Sequence, residues 1–279
     1  MYRFALRPRW IVSHLLVAAL VVTMVNLGFW QLRRLDEKRR HNRLVERRTS
    51  QPVAAVADVL PAGTGTADVD PVELRRVRAS GTFDAGAQLL VRGRSLDGRP
   101  GSWVVAPLRL ADGRVLVVNR GWIPNDGSLD AVPRRFAAPT GRVTVTGLLQ
   151  RTETRGRLGA TDPSTGRVGS LARLDVAHYA RQLRAEAVPA WVQLTDQVPA
   201  VDAAVAPRPL GPPTLDEGPH FGYAMQWFIF SAIAVIGYPL VLRRVARERA
   251  ADDDDVDLDG PDPHDVPEPD DPRLGARQP

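Results

Sequence analysis

The sequence contains no cysteine. This absence excludes disulfides, thiolate nucleophiles, CxxC redox chemistry, thiolate copper transfer and covalent attachment of c-type haem. Only three methionines occur, Met1, Met24 and Met225, and they are too scattered for a copper relay. Five histidines are present without HxH or HxxxH spacing, so we do not expect a multi-histidine zinc site.

The formal net charge of +5 conceals a strong asymmetry along the chain. Residues 251–279 hold eleven acidic residues and two arginines, diluted with proline and glycine. Such a composition buries too little apolar surface to offset the entropy of an ordered chain. We therefore predict a disordered tail, for which a plain solubilising role is the simplest interpretation.

Two long apolar runs lie near the two ends of the chain, from Trp10 to Leu32 and from about Phe221 to Leu242. A bilayer core of about 30 Å needs about 20 helical residues, so each run is long enough to cross. The first run exceeds the apolar region of a signal peptide and lacks an A-x-A-like cleavage site. We predict an uncleaved membrane anchor followed by a second span.

The positive charges beside the two spans disagree about orientation. Four arginines in 243–249 follow the second span and favour a cytoplasmic C-terminus. Eight cations in 33–48 follow the first span and favour the opposite arrangement, but long loops largely escape the charge rule. We give the second span more weight and predict the plasma (inner) membrane, with both termini cytoplasmic. The predicted regions are a cytoplasmic N-terminus 1–9, spans 10–32 and 220–242, a juxtamembrane helix and linker 33–70, an extracytoplasmic domain 71–219, and a basic flank with the acidic tail, 243–279.

The region between the spans has the alternating pattern and turn dipeptides of a β-rich domain. Asp97-Gly98 and Asp112-Gly113 are strong turn signals, and residues 108–117 have the pattern of a hairpin. One helix is predicted over Leu174–Arg184. We predict an α+β membrane protein whose two transmembrane helices flank an antiparallel sheet or small barrel with one or two helices. The predicted strands are Glu73–Ser80, Gln88–Arg92, Trp103–Leu110, Val115–Asn119, Val143–Leu149 and Trp191–Leu194.

The first of three notable segments lies where the first span ends, at residues 27–38. Gly28 allows another helix to approach closely, and Trp30 suits the membrane interface. Gln31 can form a hydrogen bond to a neighbouring helix, and Arg34 can reach a lipid phosphate. A generic exit from the membrane explains the tryptophan and arginines equally well.

The second segment is Val118-Asn-Arg-Gly-Trp-Ile-Pro124, where an apolar strand ends abruptly. Arg120 offers a planar pair of donors for a carboxylate such as a haem propionate, and Trp122 either packs or is presented to a partner. A structural arginine inside a hairpin is the alternative.

The third segment, residues 219–228, begins the second span. His220, Tyr223 and Trp227 share one helical face, and Gln226 adjoins it. Imidazole is a standard axial ligand of haem iron, whereas a single histidine at a membrane boundary often only forms a hydrogen bond. If the spans pack together, this cluster and residues 28–31 line one patch.

Together, these three segments resemble the Surfeit-locus family of cytochrome c oxidase assembly factors. The matching residues are Leu27–Lys38, Val118–Pro124 and His220–Phe228. The resemblance implies a non-enzymatic role in maturing the haem–copper oxidase, with haem a as a transient ligand and His220 as the residue that contacts its iron. It places Tyr223, Gln226, Trp227 and Trp30 around the haem, and Arg120 and Trp122 against a propionate or the oxidase. The implied partners are the oxidase catalytic subunit, haem a synthase and membrane lipids.

Three other classes of function remain to be weighed against the haem chaperone. A cofactor-free scaffold for an assembly intermediate would have the same architecture. An enzyme is disfavoured because the chain lacks a G-x-S-x-G motif, an S-x-x-K motif and metal-ligand spacing. Nucleic-acid binding is disfavoured because the positive charge concentrates beside the spans instead of interleaving with aromatic residues.

Overall fold

A computed structural model describes residues 3–125, 131–157, 159–163, 166, 168–204 and 206–256. The chain divides into two compact units. A helical unit contains the chain up to Arg39 and again from Glu217, and a barrel unit contains Arg40–Asp216. The acidic tail was predicted to be disordered from residue 251, but residues 251–256 form the end of a long helix, His220–Val256. From residue 257 the tail lies outside the described residues, so its disorder there stays a prediction.

The helical unit contains two long helices, α1 (Pro8–Thr49) and α4 (His220–Val256). The last residues of α1, from Arg40 onward, belong to the barrel unit. Both are long and apolar enough to cross a membrane, over Pro8–Thr49 and His220–Arg249. The predicted spans 10–32 and 220–242 lie within them, and the predicted polar helix 33–48 continues α1. Their large apolar side chains face outward, as expected for contact with lipid or protein.

The described residues of the barrel unit form eight strands and two short α-helices, besides short 3₁₀ helices. The helices are α2 (Val56–Val59) and α3 (Val176–Leu183). The strands are β1 (Ala54–Ala55), β2 (Arg76–Phe83), β3 (Leu89–Leu96), β4 (Arg99–Leu110), β5 (Val115–Pro124), β6 (Arg142–Arg151), β7 (Ser170–Leu171) and β8 (Ala187–Val198).

Five of these strands close into a ring in the order β2-β4-β5-β8-β6. All pairs in the ring are antiparallel except β5–β8, which is the strand order and the parallel pairing of OB-fold barrels. The expectation of a small barrel is therefore confirmed, whereas uniform antiparallel pairing is wrong. After β5 the chain runs through β6 and α3 before it returns, and a long connection of this kind permits parallel pairing. The peripheral pairs β1–β2 and β3–β7 are parallel as well.

Alternation along β2 shows how the barrel interior is filled. Val77, Ala79 and Phe83 point inward and are buried, while Arg76 and Arg78 are exposed. This period of two is expected for a strand with one face on the core. A single cluster of buried side chains fills the interior. Its larger members are Leu60, Val69, Phe83, Leu108, Leu116, Val118, Val143, Leu149 and Val192.

A second apolar layer covers the outer face of β4 and β5, which explains why residues 115–123 are buried without interruption. The helix α3 contributes Val176 and Tyr179 to this layer, and the Tyr179 hydroxyl donates a hydrogen bond to the Ala87 carbonyl. The side chain of Asp175 caps α3 by accepting from the His178 amide at 2.9 Å.

The segment predicted as a linker, 52–70, belongs to the barrel. It contains β1, α2 and the start of a 3₁₀ helix, Thr66–Val72. Val56, Leu60 and Val69 are at most 2% exposed and join the core. Its alanine, proline and glycine content is that of a loop, but these three apolar residues are spaced so that all of them reach the interior.

Candidate functional site

A hydrogen bond between His220 and Gln31 joins the N-terminal end of α4 to α1. The Nδ1 atom of His220 lies 2.8 Å from the Oε1 atom of Gln31. A carboxamide oxygen only accepts, so Nδ1 carries the proton and Nε2 keeps its lone pair. We call Gln31, Gly218 and His220 the helix-pair site.

Gly218 leaves room beside the free edge of this imidazole. Its φ of +70° favours glycine. A Cβ atom at position 218 would lie 3.5 Å from Nε2 and 3.4 Å from Cδ2 of His220. Any larger side chain would therefore compete with a group that approaches Nε2.

Close packing of the two helices supports this end of the site. A Cβ atom at Gly28 would lie 2.7 Å from Cε1 of Phe228, so the glycine is required for the approach. The Phe228 ring also packs edge-on against Phe29, with centroids 5.4 Å apart. Ala224 is fully buried.

The remaining residues predicted on this patch are mostly exposed. Trp30 is 46% exposed and Tyr223 is 49% exposed. Gln226 is also exposed, while Trp227 is half-buried and packs against Phe230. His220 therefore lies at the edge of an open surface with aromatic side chains nearby.

A second histidine joins α1 and α4 at the other end of the described helices, with a different bonding pattern. The Nδ1 atom of His14 is 2.7 Å from the Tyr238 hydroxyl oxygen, and this oxygen lies 2.9 Å from the Ser13 hydroxyl. The Nε2 atom of His14 is 3.1 Å from the Ala5 carbonyl. Both ring nitrogens of His14 are engaged, whereas among the described residues only Nδ1 of His220 has a hydrogen-bond partner.

An ion pair that was not predicted from the sequence joins α1 to the loop before α4. Arg39 on α1 donates from Nε and Nη2 to the two carboxylate oxygens of Glu217, each at 3.0 Å. Both side chains are about half exposed, so this pair orients the chain before α4 more than it stabilises it. No sequence motif marks it, since Glu217 lies in a loop.

Arg120 and Trp122 are both buried, each 4% exposed. Arg120 falls where β5 and β4 change register, since Gly121 pairs with Val104 and Asn119 with Val105. Its guanidinium lies over the ring of Phe83, a residue of the barrel core, at 5.8 Å. Trp122 donates from Nε1 to the Arg94 carbonyl at 2.8 Å.

A cleft of about 830 Å³ in the barrel unit contains none of the predicted site residues. The guanidinium of Arg94 stacks on Trp103 at 3.9 Å, and Trp103 lies 5.6 Å from Trp191. Its arginines are paired with carboxylates, including Arg94 with Glu153 and Arg151 with Glu73. In the described part of the chain, no group of three histidine or carboxylate side chains is placed to hold a metal ion.

Comparison with known proteins places this architecture in a family. The model of the SURF1 family matches residues 18–232. The chain belongs to the SURF1 family. This is the Surfeit-locus family, which is generally linked to cytochrome oxidase assembly.

Several similar proteins carry the same family name. An uncharacterized SURF1-like protein of Mycobacterium tuberculosis is 28% identical over 249 residues, covering 84% of this chain and 83% of the relative. A SURF1-like protein of Caenorhabditis briggsae is 24% identical and covers 81% of this chain and 74% of the relative. One from Dictyostelium discoideum is 34% identical over 104 residues, 36% of this chain and 38% of the relative.

Proposed function

We propose that this protein receives haem a and aids its delivery to the catalytic subunit of cytochrome c oxidase, with His220 as axial ligand of the haem iron. The hydrogen bond from His220 to Gln31 is the observation that carries the proposal. It holds the proton on Nδ1 and leaves the Nε2 lone pair available. Imidazole is a standard axial ligand, and ligating histidines usually donate their other ring N–H to a partner.

The side chains around His220 suit a flat and largely apolar cargo. Trp30 and Tyr223 expose aromatic surface at this end of the helices, and Trp227 and Gln226 adjoin it. In this proposal the aromatic groups cover the macrocycle and limit the access of water to the iron. The haem supplies redox chemistry only after its transfer to the oxidase, so here it is carried as cargo.

The family and the two long helices support the cellular setting of this proposal. We place the chain in the plasma (inner) membrane, with both termini cytoplasmic and the barrel extracytoplasmic. Haem a synthase is the proposed donor of the haem, the oxidase catalytic subunit its acceptor, and membrane lipids surround α1 and α4. The family membership and the length and apolar character of both helices support this setting.

The roles expected of Arg120 and Trp122 remain separate predictions. Each is 4% exposed, and Trp122 already uses its indole N–H within the barrel. Contact with a haem propionate or an oxidase subunit would require access to these buried groups. The proposal for His220 does not depend on either residue.

The test is an absorption spectrum of the detergent-purified protein after co-expression with haem a synthesis. We expect bound haem a in the wild type, loss of it in His220→Ala, and retention in His14→Ala. His14 is a matched control because it also joins α1 and α4 but has both ring nitrogens engaged. Full haem a occupancy and normal oxidase assembly in His220→Ala would exclude the ligand role.

A cofactor-free scaffold is a second candidate, favoured by the openness of the site. Trp30 and Tyr223 are each nearly half exposed, which also suits contact with another protein. The scaffold predicts no haem absorbance in any variant, together with an oxidase defect when Trp30 or Tyr223 is replaced by alanine.

A further inference from the structure

Arg120 is a buried cation that lacks an acidic partner. It is 4% exposed, and burial lowers its pKa to about 10, so the guanidinium stays protonated at neutral pH. Among the described residues, no carboxylate forms an ion pair with Arg120. Arg114 of the same barrel is also buried, with 6% of its side chain exposed. Unlike Arg120, it has an acidic partner, because its Nε atom contacts the Asp112 carboxylate at 2.8 Å.

The hydrogen bonds of Arg120 use only part of its donor set. Its Nη1 atom donates to Oε1 of Gln88 at 3.0 Å and to the Phe136 carbonyl at 2.7 Å. Its Nε atom is buried without a partner. The guanidinium also lies over the Phe83 ring at 5.8 Å. Neutral acceptors of this kind do not compensate a full charge, and a buried charge normally has a counter-charge.

A cavity of about 190 Å³ lies beside Arg120, beneath the segment that follows β8. This segment is held over β5 because Arg208 and Trp122 exchange backbone hydrogen bonds, both at 2.8 Å. Gly121, with a φ of +135°, permits that approach, since a side chain there would meet the Arg208 backbone. The cavity is therefore a built part of the barrel and not a gap between mobile surfaces.

The walls of this cavity favour a small aliphatic acid. Ala200, Val201 and Ala206 supply apolar surface, and Gln197 supplies an amide. Asp196 also lines the cavity and disfavours anions of higher charge. The planar guanidinium matches a carboxylate, and the volume admits a short acid but not a porphyrin macrocycle.

We propose that Arg120 and the cavity beneath residues 199–204 and 206–209 form a binding site for a small monocarboxylate. This site is independent of the proposed haem function. The carboxylate supplies the ion-pair partner that Arg120 lacks among the described residues. Its source is either a free short-chain acid or an acidic side chain of a partner inserted into the cavity, and the two share the same chemistry at Arg120.

The experiment measures thermal unfolding of the full-length protein in detergent, followed by tryptophan fluorescence. Sodium formate, acetate, propionate or adamantane-1-carboxylate is added at constant ionic strength, with sodium fluoride as the balancing salt. We expect the short acids to raise the midpoint saturably by about 4 °C and the bulky acid to have no effect. Saturation at millimolar acetate or below indicates a free acid as the ligand, and a weaker response indicates a partner's side chain.

Two variants assign the effect to Arg120. The substitution Arg120→Met removes the charge but keeps a long side chain of similar volume. We expect the response to short acids to disappear in this variant. Arg142→Met is the matched control, because Arg142 is an exposed arginine on β6 of the same barrel, and it should respond like the wild type.

Two results would overturn the proposal. The first is a midpoint shift of the same size with fluoride, a short acid and the bulky acid. The second is an undiminished response to acetate in Arg120→Met. If Arg120→Met does not fold, the dependence on acid size in the wild type decides alone.

Discussion

Gln31 is the residue whose role depends most directly on a single contact. Its carboxamide oxygen accepts from Nδ1 of His220 at 2.8 Å and thereby selects the tautomer with a free Nε2. We predict that Gln31→Leu weakens haem a binding by about 10- to 100-fold, the usual effect of losing a hydrogen-bond partner of a ligating histidine. Haem titration of the purified protein measures this.

The substitution Gln31→Glu tests whether residue 31 acts by accepting a hydrogen bond from His220 or only by packing against it. A carboxylate accepts the Nδ1 proton more strongly, so binding should persist and the reduction potential of the bound haem should fall. Asn26→Leu is the control, because Asn26 lies on the same helix and only donates to the Val22 carbonyl. Binding of equal affinity in Gln31→Leu, with an unchanged spectrum, would remove Gln31 from the site.

The chemistry of Arg120 could be predicted from the sequence, but its environment could not. The Asn-Arg-Gly-Trp motif identified it as special, and its planar donors indicated a carboxylate. Its burial was not predictable, because it depends on Gln88, on Phe136 and on residues that follow β8, all of which lie outside its own strand. Whether Arg120 has a structural role or binds a ligand depends on these distant residues, so the motif alone does not decide between the two roles.

At the scale of elements, the contact between α1 and α4 depends on Gly28. Replacing it with leucine places a side chain where the Phe228 ring lies, and such overpacking typically costs about 1–3 kcal/mol. We predict a lower thermal midpoint for Gly28→Leu, with recovery in the double variant Gly28→Leu/Phe228→Ala. Thermal unfolding in detergent measures both.

A matched glycine provides the control for this prediction. Gly237 on α4 has open space where its Cβ atom would lie, so Gly237→Leu should leave the midpoint close to that of the wild type. An equal loss of stability in both leucine variants, without rescue by Phe228→Ala, would show that Gly28 acts through something other than this contact.

Local elements were predictable where the physical signal is local. The length of the apolar runs sufficed for α1 and α4. The dipeptide Asp97-Gly98 adopts positive φ at both positions, 50° and 75°, and joins β3 to β4 as a tight hairpin. The parallel pair β5–β8 was missed because its partners are separated by β6 and α3, and no local pattern specifies which distant strands meet.

At the scale of the whole molecule, the contacts made by His14 and by His220 join α1 and α4 at two places. These two places are separated by the same number of residues on both helices. Ser13 and Gln31 are 18 positions apart on α1, and His220 and Tyr238 are 18 positions apart on α4. At 1.5 Å per residue this separation is about 27 Å, close to the bilayer core of about 30 Å. Polar contacts between helices are thus expected near each boundary of the membrane and not at its centre.

The orientation of the molecule can be tested because the chain has no cysteine of its own. The proposed topology predicts that Ala67→Cys, in the barrel unit, reacts with a membrane-impermeant maleimide in cells or spheroplasts. Arg7→Cys and Arg247→Cys should react only after the membrane is permeabilised. All three positions are exposed, so differences in labelling report the side of the membrane.

The labelling pattern also decides between the two conflicting charge signals. Eight cations in residues 33–48 would be cytoplasmic if the first span set the orientation, and four arginines in 243–249 are cytoplasmic if the second span does. Labelling of positions 7 and 247 without position 67 would reverse the orientation and place the barrel in the cytoplasm. Different labelling of positions 7 and 247 would mean that only one of the two helices crosses the membrane. Labelling of position 67 alone would place the barrel and the His220 end of α4 on the outer side, the arrangement that the proposed function requires.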